Sequence, residues 1–342
     1  MKIMVTGDRG YIGSVLVPML IEKGHEVIGL DSGFFEEVCF LDYNNDYHKI
    51  TKDIREVTKS ELKGVEAIIH LAGLSNDPLG EFSPKLTEEI NFSASVKLAQ
   101  LAKESEVHRF IYASSQSMYG ISKTDSELDE DNSLKNPVTS YAKEKWKAEQ
   151  YLNKITSEDF VVTSFRPSTV YGASPRFRCD IVFNNLVACA YTTGRIEIKS
   201  DGSPWRPVVH VKDVCKAFIA GLIAPINLLS GRAFNVGSKN GNFTVRQIAE
   251  AARNAVPGSE LLFTGEHTDP RTYKVSFNRI FQQLGDYYKP TWNLEKGGQE
   301  LVSFFKKIDF SEKIFRGPET IRLKQLVRLS ESGKVDNYFR FI

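Results

Sequence analysis

The chain has 342 residues with 44 basic and 43 acidic side chains, a formal net charge of +1, and 41% hydrophobic residues. That length can bury one large α/β core or two coupled ones, while the balanced charge offers no bulk field for nucleic acid or an anionic membrane. No apolar run approaches the ~20 residues that span a bilayer, and four scattered cysteines, Cys39, Cys179, Cys189 and Cys215, form neither a C-x-x-C pair nor a His/Cys cluster.

An apolar strand begins within two residues of the first Met, leaving no room for a signal peptide. A cytoplasmic protein with reduced thiols and no metal is therefore expected. The run Ile3 to Val5 leads into Thr6-Gly7-Asp8-Arg9-Gly10-Tyr11-Ile12-Gly13 and then an amphipathic helix from Ile12 to Lys23. In this strand–turn–helix, Gly7 permits the tight turn, Gly10 lets backbone approach a diphosphate, and Gly13 lets helix and strand pack closely. The helix N-terminus then turns free N–H groups and a positive dipole end to the phosphates. A second apolar run, Glu26 to Leu30, ends at Asp31, the spacing that places an acid on an adenosine ribose. Such an acid favours NAD and repels the 2′-phosphate of NADP.

Pro18 should kink the first helix. The aromatic, irregular stretch 32–47 reads as a loop near the adenine end. Asp53-Ile54 reads equally as a helix cap or an adenine contact. Ala67 to Leu71 is a short buried strand, after which Ala72-Gly73 passes close to a ligand; Ser75, Asn76 and Asp77 form a polar loop at the strand's carboxyl end, where open α/β sheets bind ligands. A long helix is expected over 84–105, with Asn91 midway, either at the surface or turned inward. Arg109 to Ala113 is the next strand, ending in Ser114-Ser115-Gln116-Ser117-Met118-Tyr119-Gly120, and an acid-rich loop covers 124–136.

Tyr141 and Lys145 then stand four apart on a helix running to about Ile155, hence on one face. A nearby ammonium lowers a phenol's pKa and makes it a general acid/base. Phe160 to Phe165 is a strand closed by Arg166-Pro167. After Gly172 the alternation breaks. Residues 204–211 look like a strand-bearing return to the main domain, 213–222 a helix, 233–236 a strand, and 320–339 a packed, charged terminal helix.

Taken as a set, TGDRGYIG, Asp31, Asp53-Ile54, Leu71-Ala72-Gly73, Asn91, Ser114-Ser115, Tyr141-x-x-x-Lys145 and Arg166-Pro167 resemble the extended short-chain dehydrogenase/reductase family, in its nucleotide-sugar epimerase/dehydratase branch. The resemblance implies a Rossmann-type doubly wound parallel sheet formed by 1–172 plus 205–240, and a smaller mixed carboxy-terminal substrate-binding lobe formed by 173–204 plus 241–342. It implies NAD held by Gly7, Arg9, Gly10, Tyr11, Ile12, Gly13, Asp31, Asp53, Ile54, Leu71, Ala72, Gly73, Asn91, Ser114, Tyr141, Lys145, Pro167 and Val170. Tyr141 would transfer the proton, Lys145 would hold the nicotinamide ribose and depress the tyrosine pKa, and Ser115 would bond the reacting sugar oxygen. Trp205-Arg206-Pro207-Val208-Val209-His210 resembles the segment whose arginine reaches the substrate diphosphate, Asn184-Asn185-Leu186 a substrate loop, and Asp269-Pro270-Arg271 a second diphosphate arginine. With these, Ser75, Asn76, Ser115, Gln116, Ser117, Arg176, Asn185, Leu186, Arg206 and Arg271 would bind a nucleotide-diphosphate sugar.

Similar dehydratases and decarboxylases carry an acid just after the serine; Gln116 and Ser117 stand there instead. Protonating a departing hydroxyl needs such an acid, so the expected reaction is epimerisation, at C4. A keto-sugar reductase is the alternative, followed by a non-catalytic nucleotide-binding member. A homodimer is expected through the helices bearing Leu98, Leu101, Trp146 and Tyr151.

Overall fold

The computed structural model describes residues 1–43, 46–122, 126–265 and 272–342. Five short apolar runs become the central strands: β1 (Lys2–Thr6), β2 (Glu26–Asp31), β4 (Ala67–His70), β5 (Arg109–Ala113) and β6 (Val161–Pro167). Two outer strands, β3 (His48–Thr51) and β10 (Arg232–Val236), complete a seven-stranded sheet in the order β10-β6-β5-β4-β1-β2-β3. Every pairing in it is parallel. The strand order reverses between β1 and β4, the switch point at which such sheets bind ligands.

Alternation along the strands sends side chains to two separate cores. Ile3, Val5, Val27 and Ile69 pack on one face with Leu16, Val17 and Leu20 of the helix Gly13–Glu22 and with Val214 and Phe218 of the helix Val211–Ile223. Met4, Ile28, Leu30 and Ile68 face the other way, against Leu98 and Ala102 of Ala94–Glu104 and Ala148 and Leu152 of Ser140–Ile155. Helices on both faces of a parallel sheet make this the doubly wound, Rossmann-type architecture. The first helix continues through Pro18.

A smaller lobe has its own core, in which Phe177, Phe183, Phe304 and Phe305 meet. Its strands are β7 (Thr169–Tyr171), β8 (Arg195–Ile198), β9 (Trp205–His210), β11 (Asn242–Thr244) and β12 (Glu260–Phe263). They form a mixed β11-β9-β7 sheet and a parallel β12-β8 pair. The expected return of 204–211 to the main domain is thus a strand in the small sheet, and only the helix after it reaches the large one. Residues of the carboxy-terminal segment, Leu326, Leu329, Val335 and Phe339, pack in the main-domain core beneath β2 and β4 rather than in the lobe.

The helix expected over 84–105 is interrupted. Pro84–Thr87 opens it, Glu88–Ser93 forms one wide π-helical turn, and Ala94–Glu104 resumes the α-helix. Asn91 explains the widening. Its side chain accepts from Leu74 N–H at 2.8 Å and donates to Leu74 C=O at 2.9 Å, so it is turned inward to pin the loop after β4. Among the described residues no helix is long and apolar enough to cross a membrane, and no His/Cys/Asp/Glu cluster could hold a metal. All four cysteines are free.

Candidate active site

A cavity of about 770 Å³ runs along the carboxyl ends of β1, β2, β4, β5 and β6, from Asp31 at one end to Arg206 at the other. Its floor is the glycine turn. Gly7 adopts φ +74°, and a Cβ there would lie 2.8 Å from Ala72 N; one on Gly13 would lie 2.2 Å from the Gly7 carbonyl. Only glycine lets this turn seat against β4 while the following helix starts at once. That helix has no side-chain cap; its Ser14 and Val15 N–H groups bond the Gly10 and Ile12 carbonyls, leaving those of Tyr11, Ile12 and Gly13 for a ligand. Gly7, Gly10, Tyr11, Ile12 and Gly13 all line the cavity.

Asp31 terminates β2 there and accepts the Gly33 N–H at 2.8 Å through Oδ1. Burial raises its pKa, opposed by the Gly33 bond and by Arg9. Asp53 and Ile54 also line this end. Asp53 is a cap as well, accepting from Arg55 N at 2.8 Å and pairing with its guanidinium at 2.6 Å. Arg9 does not line the cavity: its guanidinium is turned behind the loop, onto Glu36, the Asp31 carbonyl at 2.8 Å and Thr51 at 3.1 Å. Asn91 likewise lies behind the wall it pins, its Oδ1 2.8 Å from where a Gly73 Cβ would be. Leu71, Ala72 and Gly73 form that wall.

Ser114, Ser115, Tyr141 and Lys145 lie along the middle, with Pro167 and Val170. Thr139 caps the Tyr141 helix by accepting from Ala142 N, which fixes its first turn against the cavity. The depression of the Tyr141 phenol expected from Lys145 is not what the structure shows: burial raises its pKa above the ordinary value, with the Ser115 hydrogen bond and the Arg178 charge lowering it by less and the Asp77 charge adding to the rise. Lys145, one turn on, donates from Nζ to the Ala113 carbonyl at 2.8 Å and sits 4.8 Å from the centre of the Tyr112 ring. Burial pushes its pKa down to about 8. Ser114 is turned inward to Glu149 at 2.5 Å, joining a buried network with Arg166. Ser117 donates to Ser115 Oγ at 2.9 Å, and Gln116 is anchored to the Arg166 carbonyl at 3.0 Å.

At the lobe end the cavity is lined by Ser75, Asn76, Asp77, Arg178, Asp180, Arg206 and Tyr273. Arg178, Asp180 and Asp77 were not singled out from the sequence as site residues. Arg178 meets Asp180 through Nε at 2.8 Å and Nη2 at 3.0 Å, and gives Nη1 to Ser75 at 2.9 Å; Asn76 donates to the same Asp180 at 2.9 Å. The alternation Arg176-Phe177-Arg178-Cys179-Asp180 carried a signal for this, because Phe177 and Cys179 are fully buried and turn the polar residues the other way. Arg176 itself is elsewhere. Its Nη1 is committed to the carbonyls of Phe35, Glu36 and Val38, which draws it out of the cavity. Asn185 is also turned away, onto the Cys179 carbonyl at 3.0 Å, and Leu186 is in the lobe core, because the helix Val182–Thr193 presents that face inward. Arg206 keeps its place in the cavity wall, and Arg271 lies outside the described residues.

The cradle fits a dinucleotide: a glycine turn closed to any side chain, a helix start without a side-chain cap, a carboxylate one strand away and the Tyr141–Lys145 pair beyond. Residues 3–237 match the family model described as the NAD dependent epimerase/dehydratase family. The chain is 30% identical to the UDP-glucose 4-epimerase of Mycolicibacterium smegmatis over 321 residues, covering 90% of this chain and 99% of that one. It is 27% identical to UDP-glucuronic acid decarboxylase 1 of Arabidopsis thaliana, covering 93% of this chain and 72% of that one. Among solved structures, the UDP-glucose 4-epimerase of Thermotoga maritima with UDP-glucose superposes with a TM-score of 0.76 at 24% identity, over 90% of this chain and 99% of that one.

Proposed function

Because the chain belongs to the NAD dependent epimerase/dehydratase family, we propose that it is a nucleotide-sugar epimerase that inverts C4 of a nucleotide-diphosphate hexose through a transient keto-sugar. The observation that carries the reading is the hydrogen-bonded Ser115–Tyr141 pair, with Lys145 one helical turn away and no acid at positions 116 and 117. The cofactor is NAD; Gly7, Gly10 and Ile12 would hold its diphosphate and Asp31 its adenosine ribose. When bound, the nicotinamide supplies a reversible hydride acceptor for the sugar carbinol.

The chain's own groups do the rest. Tyr141, as phenolate, takes the hydroxyl proton. Ser115 donates to the oxygen on which charge develops, an oxyanion-type contact. Burial holds the phenol's pKa above its ordinary value, and Ser115 and Arg178 pull it part of the way back. Lys145, within 3.8 Å of where a Gly73 Cβ would stand, is the cation for the nicotinamide ribose. Arg206 retains the diphosphate while the hexose turns and presents its other face. Gln116 and Ser117 offer amide and hydroxyl groups, neither able to protonate a leaving hydroxyl at neutral pH.

One observation favours a second reading, water elimination. Asp77 lines the cavity, and its charge acts on Tyr141. Against it, Asp77 is already engaged by the Thr139 hydroxyl, which donates to its Oδ1 at 2.6 Å. The reading extends to a soluble, cytoplasmic homodimer. Leu101, Trp146 and Tyr151 remain partly exposed on the two helices concerned, whereas Leu98 is fully buried in its own core.

The test is Tyr141→Phe. Cofactor should remain bound, since the ring and Lys145 are kept, while turnover of UDP-hexose falls by at least roughly 10²–10⁴. A loss below tenfold assigns the base to another group. Product analysis separates the two readings, an epimer for one and a deoxy-keto sugar for the other.

A further inference from the structure

The helix Arg322–Glu331 enters the same cavity. Arg322 and Leu326 line it from the side opposite the glycine turn, close to Phe34 and Phe35 in the loop after Asp31. Arg322 is 2% exposed. Its guanidinium stacks 4.1 Å over the Phe35 ring and gives Nη2 to the Arg176 carbonyl at 2.6 Å. Its Nη1 is buried without a hydrogen-bond partner. Arg9 is matched by Glu36 and Arg178 by Asp180, but among the described residues no carboxylate forms an ion pair with Arg322. Arg178 and Arg176 repel it, and with burial they push its pKa down to about 9, against the pull of Asp180 and Asp31. A buried guanidinium with an orphaned N–H is costly unless an anion joins it.

The rest of the tail fastens this helix to the two loops that flank the cavity's adenosine end. Gln325 donates to the Phe34 carbonyl at 3.0 Å, Lys334 and Arg328 pair with Glu37, and Arg340 pairs with Glu56. Phe341 stacks on Phe34 at 5.6 Å.

We propose that this carboxy-terminal helix is part of the dinucleotide site: Arg322 is a ligand for the cofactor's diphosphate, and the helix closes the adenosine end so that the cofactor stays resident. This rests on the dinucleotide reading above. The unmatched cation stacks on the Phe35 loop that follows Asp31 while the backbone N–H of Arg322 bonds Asp180 at the lobe end, which places it between the two ends of the cavity, the position a dinucleotide's diphosphate would take. A segment held at both flanking loops covers the cofactor from this side, and such retention suits an enzyme that regenerates its cofactor in every cycle.

Arg322→Met and Arg322→Lys, compared with the wild type, test the proposal by equilibrium binding of NAD, of NADP and of UDP to cofactor-stripped protein. The wild type binds NAD; Arg322→Met weakens this by roughly 10- to 100-fold, Arg322→Lys by less, and UDP affinity is unchanged in both. Unaltered NAD affinity in Arg322→Met overturns the proposal, as does weakening confined to UDP, which would assign Arg322 to the sugar nucleotide. Should the wild type bind neither NAD nor NADP, the dinucleotide reading itself fails. Amide exchange of the wild type provides a readout independent of any variant's folding. NAD should slow exchange across residues 322–331, and equal exchange with and without NAD contradicts the strap.

Discussion

The two walls of the cavity are built in different ways. One wall is made at strand ends: the glycine turn after β1, Asp31 after β2, Leu71 to Gly73 after β4, and Ser114-Ser115 after β5. Each of these residues is placed by the strand immediately before it, so a few neighbouring positions determine where it goes. The facing wall comes from Arg178 and Asp180 in an irregular segment, Arg206 in the small sheet and Arg322 near the chain end. Those residues are placed by contacts such as that of Gln325 with Phe34, 291 positions apart. In the proposed reaction the strand-end wall, together with the start of the helix Ser140–Ile155 that carries Tyr141 and Lys145, holds the chemistry and the cofactor cradle. The far wall supplies three arginines, Arg178, Arg206 and Arg322.

If that division holds, the largest effect outside Tyr141 should come from Asp31. Asp31→Ala removes the charge that would meet a 2′-phosphate and the acceptor for the ribose diol. The ratio of NAD to NADP affinity should fall by roughly 100-fold, measured by titrating stripped protein with both. An unchanged ratio would mean that the far wall, not β2, reads the ribose.

The strand-end wall also carries a cost. Asp8, fully buried in the glycine turn, accepts from the Tyr47 hydroxyl at 2.7 Å and has an unpartnered Oδ1. Burial, then the Asp31 charge, raises its pKa from 3.8 to about 7. A carboxyl raised in the folded state stabilises the fold while it keeps its proton, and that contribution is lost as pH climbs from about 4 through about 7. Asp8→Asn should therefore be more stable than the wild type at pH ~8, by on the order of a few kcal/mol, with the difference shrinking toward pH ~4. Urea denaturation of both proteins across that window checks it. A difference independent of pH would remove Asp8 as the titrating group.

A smaller effect should come from the far wall acting on the near one. Burial raises the Tyr141 phenol and Arg178 pulls it back, so Arg178→Met should move the rising limb of the kcat/KM profile to higher pH, with Arg178→Lys recovering part of it. A lowered rate with an unmoved profile would leave Arg178 with substrate positioning only.

The same contrast explains what could be read from the sequence. The sheet, the glycine turn, Asp31 and the spacing of Tyr141 and Lys145 were legible because apolar runs and helical spacing are local signals, whereas Ser115 was singled out only by the family resemblance. Asp53 left a cap and an adenine contact open; the structure shows the cap and also puts the residue in the cavity wall. Arg176 and Arg178 could not be ranked by spacing alone, since what separates them is that three carbonyls of a distant loop capture Arg176. Asn185 and Leu186 depended on the rotation of a helix about its axis, which the lobe core fixes. The tail was legible as a packed helix, but not its destination, because nothing local says that Arg322 will arrive on Phe35 in the loop after Asp31.

The central claim is that the near wall performs a redox-neutral inversion. The direct measurement is to incubate the wild-type protein, with no cofactor added to the solution, with UDP-glucose or another UDP-hexose, and to follow the sugar by NMR together with nicotinamide absorbance. The account predicts approach to an equilibrium of C4 epimers over many turnovers, with no net change in the cofactor's redox state. Turnover that requires added NADH or NADPH and leaves it stoichiometrically oxidised would contradict it.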